Sequence, residues 1–218
     1  TLKDRTIIVE NQRVVTPQKW RNCSVMTQQW RLINGRELYD MKVDGGQQND
    51  IAQQHPEIVT RLRQSYESFW KSTSADHHLN SRIVIGSAKE NPLTLSSHDL
   101  LSSKTPWNHG HVKEGMKTRG KWMLTVKESA KYKITFSRWP TEVAREINSD
   151  GGIKGKIINA KSAHLSIQGS KLKRPVHSND KNISFTVELK AGDTELVTEF
   201  HLADGSFMSA YYCYVEKL

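Results

Sequence analysis

Four side chains near the middle of the chain, His98, Asp99, His109 and His111, carry the donor atoms that zinc prefers, three ring nitrogens and a carboxylate. They follow no recognised ligand spacing. In a polar loop with Asn108, Gly110 and Lys113 they read as solvated or hydrogen-bonded groups, and no metal site is expected. Tryptophan offers a different chemistry. Trp107, between Pro106 and Asn108, and Trp139, before Pro140 at a strand end, stand where an indole can face a sugar ring, whose C–H groups pack on the ring while polar neighbours bond the hydroxyls. Trp122 lies inside a strand pattern and reads as core, as do Tyr132 and Phe136. The residues expected to contact a substrate are therefore His98, Trp107, Asn108, His109, Arg138 and Trp139, with an Arg or His able to pair with a sulfate or carboxylate group. No catalytic residue is expected. The chain has no Ser-His-Asp order and no dinucleotide-binding glycine pattern, and the loop Gly151-Gly152-Ile153-Lys154-Gly155 lacks the Lys-Ser/Thr ending that a phosphate cradle needs.

The elements that must position these side chains fall into two textures. From Ser24 to Met41 short apolar segments, with Val25, Trp30, Leu32, Ile33, Leu38 and Tyr39, are broken by Asn34-Gly35, a strong two-residue hairpin signal. Beyond the turn at Asp44-Gly45-Gly46, Pro56 suits the first turn of a helix, and Ile58, Leu62, Tyr66 and Phe69 form a stripe that belongs on one sheet face. Residues 73–79 are polar and aperiodic, as a linker is. The pattern then becomes β: Arg82 to Gly86 as a short buried strand, Trp122 to Val126, the strictly alternating Tyr132 to Trp139, Ala163 to Ile167, Ile183 to Leu189, Thr194 to Phe200 and Tyr211 to Val215. Only Glu142 to Ile147 offers a further helical stretch. The expected fold class is a small α+β antiparallel sheet with one C-terminal helix over residues 1–72, then an all-β, jelly-roll-like sandwich over 80–218.

Composition narrows the function classes. The 218 residues carry a formal charge of +9, but Lys and Arg are scattered among acids, and the densest run, Lys171-Leu172-Lys173-Arg174, sits beside Pro175 where a loop is expected. This is the pattern of a solvated surface, so no nucleic-acid partner is expected, while sulfated polysaccharide remains a tenable one. No apolar run approaches the ~20 residues that span a bilayer, so no membrane partner is expected either. Cys23 and Cys213 lie far apart and read as free thiols.

The run Ser24-Val25-Met26-Thr27, Trp30-Arg31-Leu32-Ile33-Asn34-Gly35, Glu37-Leu38-Tyr39-Asp40, followed by Asp44, Gln47 and the helix start His55-Pro56-Glu57, resembles the C-terminal subdomain of bacterial-type arylsulfatases. The second part resembles a module appended to some of these enzymes, through Ser97-His98-Asp99, Thr105-Pro106-Trp107-Asn108, Gly120-Lys121-Trp122, Arg138-Trp139-Pro140-Thr141-Glu142 and Tyr211-Tyr212. The chain departs from the pattern at Gly45, where the family has Pro, and at Leu100, where related proteins have Trp. The resemblance implies a parent sulfuric ester hydrolase, periplasmic or secreted, that uses a formylglycine made in a C/S-x-P-x-R motif and a divalent metal, usually calcium. Neither cysteine here stands in that motif. The chain is thus expected to support the substrate cleft of the parent catalytic domain, its partner, and to be inactive alone. A carbohydrate-binding module and a purely structural or oligomerisation domain are the alternatives.

Overall fold

A computed structural model describes residues 4–218 and divides the chain into two compact units, the first ending at Asn80 and the second beginning at Ser81. In the first, strands β1 (Ile7–Glu10), β2 (Cys23–Met26), β3 (Trp30–Ile33) and β4 (Glu37–Asp40) pair antiparallel in sequence order, and helix α1 (Pro56–Thr73) packs against them. Asn34 and Gly35 take the positive φ angles, 49° and 68°, that reverse the chain between β3 and β4, and the Arg36 N–H donates to the Ile33 carbonyl at 2.9 Å. The predicted stripe faces the sheet: Leu62 and Tyr66 are fully buried, and Ile58 and Phe69 pack at its margin. Each large apolar side chain buried this way contributes roughly 1.5–3 kcal/mol. Tyr66 also has a polar task. Its phenol donates to Glu10 Oε1 at 2.5 Å and accepts the Trp20 N–H at 3.0 Å, while the Trp20 indole stacks on its ring at 3.8 Å. The stretch read as a linker begins with structure: a 3-10 turn covers Ser74–Asp76, and His77 sets its ring edge-on to Trp70.

The second unit is a sandwich built from β5 (Ile83–Ile85), β6 (Leu93–Ser96), β7 (Leu101–Ser102), helix α2 (His109–Lys113), β8 (Gly120–Val126), β9 (Ala130–Ser137), β10 (Ala160–Ile167), β11 (Ser170–Pro175), β12 (Ile183–Leu189), β13 (Gly192–Leu202), β14 (Phe207–Ser209) and β15 (Tyr212–Lys217). The larger sheet runs β11-β10-β13-β8-β5, with β14 beside β13 and β7 beside β8; the smaller runs β12-β9-β15-β6. Strict alternation decides what lies between them. Tyr132, Ile134 and Phe136 of β9, Phe185 and Val187 of β12 and Cys213 and Val215 of β15 face Trp122, Leu124, Leu165, Leu196 and Phe200 in one continuous core. The buried Trp122 ties one sheet to the other, its indole N–H donating to the Ser96 carbonyl at 2.9 Å.

Three local readings of the sequence are corrected. Lys171 to Arg174 is no loop but the middle of β11, an exposed edge strand whose cations discourage further strand pairing. The strand after Arg82 is an edge strand parallel to β8, with Ile85 buried and Val84 exposed. Glu142 to Ile147 forms no α-helix: a single 3-10 turn, Thr141–Val143, ends at Ala144, whose φ of 47° is left-handed. Both cysteines are buried and unpaired. No helix among the described residues is long and apolar enough to cross a membrane.

Gly35 has no room for a side chain, since a Cβ there would lie 2.7 Å from the Trp20 indole at a φ that L residues rarely adopt. Gly35→Ala is expected to cost about 2–3 kcal/mol in urea unfolding monitored by tryptophan fluorescence, with the transition of the second unit unchanged.

Candidate functional site

The connection from β7 to β8 is long and would be floppy without anchors, so the destination of its backbone carbonyls decides its shape. Several are taken by side chains from neighbouring elements. Ser97 Oγ donates to the Pro106 carbonyl at 2.6 Å and His98 Nε2 to that of Trp107; Tyr211 Oη donates to the Met116 carbonyl at 2.8 Å. Ser97 and His98 sit in a 3-10 turn (Ser97–Asp99) closed by a capping box, in which the Asp99 carboxylate accepts the Ser96 N–H and Oγ–H, both at 3.0 Å. The turn is in turn anchored from below by Trp122, through the bond to Ser96. On the loop itself Asn108 caps α2, its Oδ1 accepting the His111 N–H at 2.9 Å.

Held by its backbone, Trp107 leaves its indole 61% exposed, with the His111 ring edge-on at 5.6 Å. It forms one wall of an open cleft of about 250 Å³ that His98, Asn108, His109 and Tyr212 also line. The volume is just below the ~300–1,000 Å³ typical of sites that enclose a drug-sized ligand, and it suits a ligand held by one face. The polar atoms left over face that ligand. A carbonyl can only accept, so His98 donates from Nε2 and keeps Nδ1 as a lone-pair acceptor; Asn108 has its oxygen committed and its amide N–H groups free. Burial, and then the neighbouring Tyr214 and Glu142, push the Tyr212 phenol above its ordinary value, so it keeps its proton and can donate.

Of the predicted binding residues the fold brings together His98, Trp107, Asn108 and His109. Arg138 and Trp139 are placed elsewhere, and the expectation that they face a ligand at the mouth is corrected: Arg138 is fully buried and Trp139 is 3% exposed. The physical reason is a return of the chain. The segment 148–155 folds back over the strand end, bringing Gly151 so near the Trp139 ring that a Cβ on it would lie 2.7 Å away. Arg138 Nη1 donates to the Ser149 carbonyl at 3.1 Å, and Nη2 to those of Val112 and Lys113 at 3.2 and 3.1 Å. Its charge lies over the Trp139 ring at 4.3 Å, and desolvation lowers its pKa to about 10, which leaves it protonated at neutral pH. Asp99 and His111, members of the candidate zinc set, are likewise spent on the loop: Asp99 caps the turn, and His111 Nδ1 accepts the Trp107 N–H at 3.4 Å. Tyr212 is the cleft residue that the sequence reading did not select. Its signal was the alternation of β15, where Cys213 and Val215 point inward and Tyr212 and Tyr214 therefore point out.

No family model matches the sequence, and no curated protein matches it. Among solved structures the chain is similar to a ruminal GH26 endo-β-1,4-mannanase, with 14% identity, a TM-score of 0.38 and coverage of 64% of this chain and 27% of that one. It is similar also to the GH26-CBM35 β-(1,4)-mannanase of Podospora anserina, with 12% identity, a TM-score of 0.35 and coverage of 59% and 28%. A family 35 carbohydrate-binding module of Clostridium thermocellum is 9% identical, at a TM-score of 0.33 and coverage of 59% and 100%. The chain thus spans little more than a quarter of either mannanase. At these scores the likenesses carry no argument about what the cleft binds.

Arg138→Met keeps an apolar stem in the core but removes the side-chain donor from three carbonyls; Val112 and Lys113 keep their backbone donors, the N–H groups of Gly115 and Lys156, and Ser149 loses the Arg138 Nη1 bond. It is expected to cost about 2–3 kcal/mol, and hydrogen exchange of 109–115 and 148–152 should accelerate while β9 and β15 stay protected.

Proposed function

We propose that the second unit binds a carbohydrate chain, with the Trp107 cleft as its recognition surface and no chemistry performed on the ligand. The observation that carries this reading is the Trp107 indole. It is exposed although the loop that bears it is pinned at Pro106, Trp107, Val112, Lys113 and Met116, so its display is built in and not a by-product of a loose loop. A rigid aromatic face, with an acceptor at His98, donors at Asn108 and a phenol at Tyr212, matches a ring that is apolar on its face and hydroxylated on its rim.

The first unit supports a second reading, in which the whole chain is the C-terminal part of a sulfuric ester hydrolase that buttresses the substrate cleft of its catalytic domain. Its support is the run from Ser24 to Met41 and the small sheet with one covering helix that such a subdomain requires. The parent's formylglycine and calcium then belong to the catalytic domain. The residues here do not fit either group: both cysteines are buried outside a C/S-x-P-x-R motif, and no three His, Cys, Asp or Glu among the described residues are grouped to hold a metal. Under this reading the enzyme is periplasmic or secreted, and sulfated carbohydrate is the ligand class that reaches the cleft.

Titration of the full chain against neutral and sulfated oligosaccharides, by calorimetry, checks the first reading. Binding is expected, and Trp107→Ala should weaken it about tenfold or more while changing stability by less than ~0.5 kcal/mol, since the ring buries little in the fold. No affinity for any glycan, with a concentration-dependent dimer in light scattering, would instead mark a structural domain. For the second reading, the coding sequence upstream must hold the C/S-x-P-x-R motif; its absence sinks the sulfatase parentage.

A further inference from the structure

The outer face of the smaller sheet continues the cleft. Tyr212 and Tyr214 stand side by side on it, about 7 Å apart along β15. Hydroxyl groups flank them: Thr94 and Thr135 lie opposite Tyr214 and Ser96 opposite Tyr212, while Ser137, on the other side of Tyr212, is buried with its hydroxyl donating to the Trp139 carbonyl at 2.6 Å. Thr135 Oγ1 is hydrogen-bonded to Ser184 Oγ at 2.7 Å, which extends the hydroxylated row to β12. At the far end the Tyr214 phenol accepts the Thr141 N–H at 3.0 Å, and Thr141 borders a second cavity, of about 160 Å³.

That cavity is built from donors and positive charge. Arg145, Lys181, Asn182 and Trp139 line it, and no carboxylate does. Neither Arg145 nor Lys181 is ion-paired among the described residues. Trp139 is buried, yet its indole N–H has no acceptor. A buried indole donor ordinarily finds a partner, because leaving it unmet forfeits the hydrogen bond it had in water. Arg145 lies against the same returning segment that buries Trp139: Gly152, at a φ of 72°, is so close to the guanidinium that a Cβ there would come within 2.9 Å of it. The acids nearest in sequence, Glu146 beside Arg145 and Asp180 beside Lys181, do not line the cavity, and Asp180 Oδ2 accepts the His177 N–H at 2.7 Å; Glu142 acts on the Tyr212 phenol and does not line it either.

We propose that this cavity is an anion subsite, which receives the carboxylate or sulfate group of an acidic glycan whose chain runs from the Trp107 cleft across Tyr212 and Tyr214. The inference rests on the carbohydrate reading of the cleft and names the ligand class of the extended site. Planar guanidinium and ammonium groups bond anionic oxygens with charge assistance, and the edge of the Trp139 ring walls the cavity beside them. A neutral sugar satisfies none of these charges, so the subsite discriminates by substituent where the aromatic cleft recognises the ring.

The test uses the full chain and three oligosaccharides matched in length, one neutral, one bearing uronate and one bearing sulfate esters, titrated at about 0.1 M salt to screen the general field of the cationic surface. At least one acidic ligand is expected to bind about tenfold or more tightly than the neutral one, and which arm it is tells carboxylate from sulfate. The double variant Arg145→Ala, Lys181→Ala should erase that preference and leave neutral affinity unchanged. The control is Lys171→Ala with Lys173→Ala, on the edge of the other sheet. A preference that survives the Arg145, Lys181 variant, or that the control removes equally, overturns the subsite. Neutral and acidic ligands bound alike, with dependence on Trp107, overturn the subsite and leave the cleft standing; no binding to any glycan overturns the cleft reading and the subsite together.

Discussion

Arg138 is buried to zero exposure, and each of its hydrogen bonds goes to a main-chain carbonyl, two at the end of α2 and one in the segment that returns over Trp139. A guanidinium out of water is costly unless its donors are met, and the lowered pKa registers that desolvation. What the charge secures is geometry. Two connections with little regular structure of their own, the one bearing Trp107 and the one bearing Arg145, are drawn to a single point at the sandwich end, with the Trp139 ring flat beneath it. The aromatic cleft takes its shape from one of these connections and the cationic cavity from the other, so they share this anchor. Its Nε is left without a partner, which shows how far the site has been shaped around main-chain acceptors in place of a counter-charge.

Aromatic residues divide their work along the sandwich. Those whose strand position points inward, Trp122, Tyr132, Phe136 and Phe200, build the core, and Trp122 lends its N–H to the turn that holds His98. Those that point outward or ride on loops, Tyr212, Tyr214 and Trp107, keep a face or an edge in solvent. Charge is divided in a similar way. Around the larger sheet Lys117 pairs with Asp204 at 2.7 Å, Arg119 with Glu199 at 3.0 Å and Lys121 with Glu195 at 2.5 Å. Pairs of this kind add little stability, but they offset those three cations, while Lys171, Lys173 and Arg174 on the β11 edge stay unpaired among the described residues. Arg145 and Lys181 enter no such pair among the described residues, and their charge is left available at the cavity that Trp139 borders.

Much of the architecture was legible in the sequence because it is set by neighbours in the chain. Asn34-Gly35 reverses a strand pair through its own backbone freedom, Pro56 starts a helix because it needs no donor there, and alternation along β9, β12 and β15 assigns side chains to the core whatever the partner strands are. The cleft was partly legible for the same reason: Trp107, Asn108 and His109 are consecutive, and a Trp between Pro and Asn is poorly suited to a strand interior. Lys171 to Arg174 was misjudged since a cationic edge strand and a solvated loop have the same composition, and only pairing with β10 tells them apart.

What the residues determined alone was therefore the class of fold, the turns and the inward or outward sense of most strand positions, all fixed by local sterics and a period of two. Tertiary structure alone decided that Trp139 and Arg138 are interior, that Tyr212 joins Trp107 from more than a hundred residues away, and that Arg145 and Lys181 meet at one cavity. These depend on which backbone returns to cover a strand end. Such coverage is settled by the summed packing and hydrogen bonding of distant segments, and no local pattern carries it.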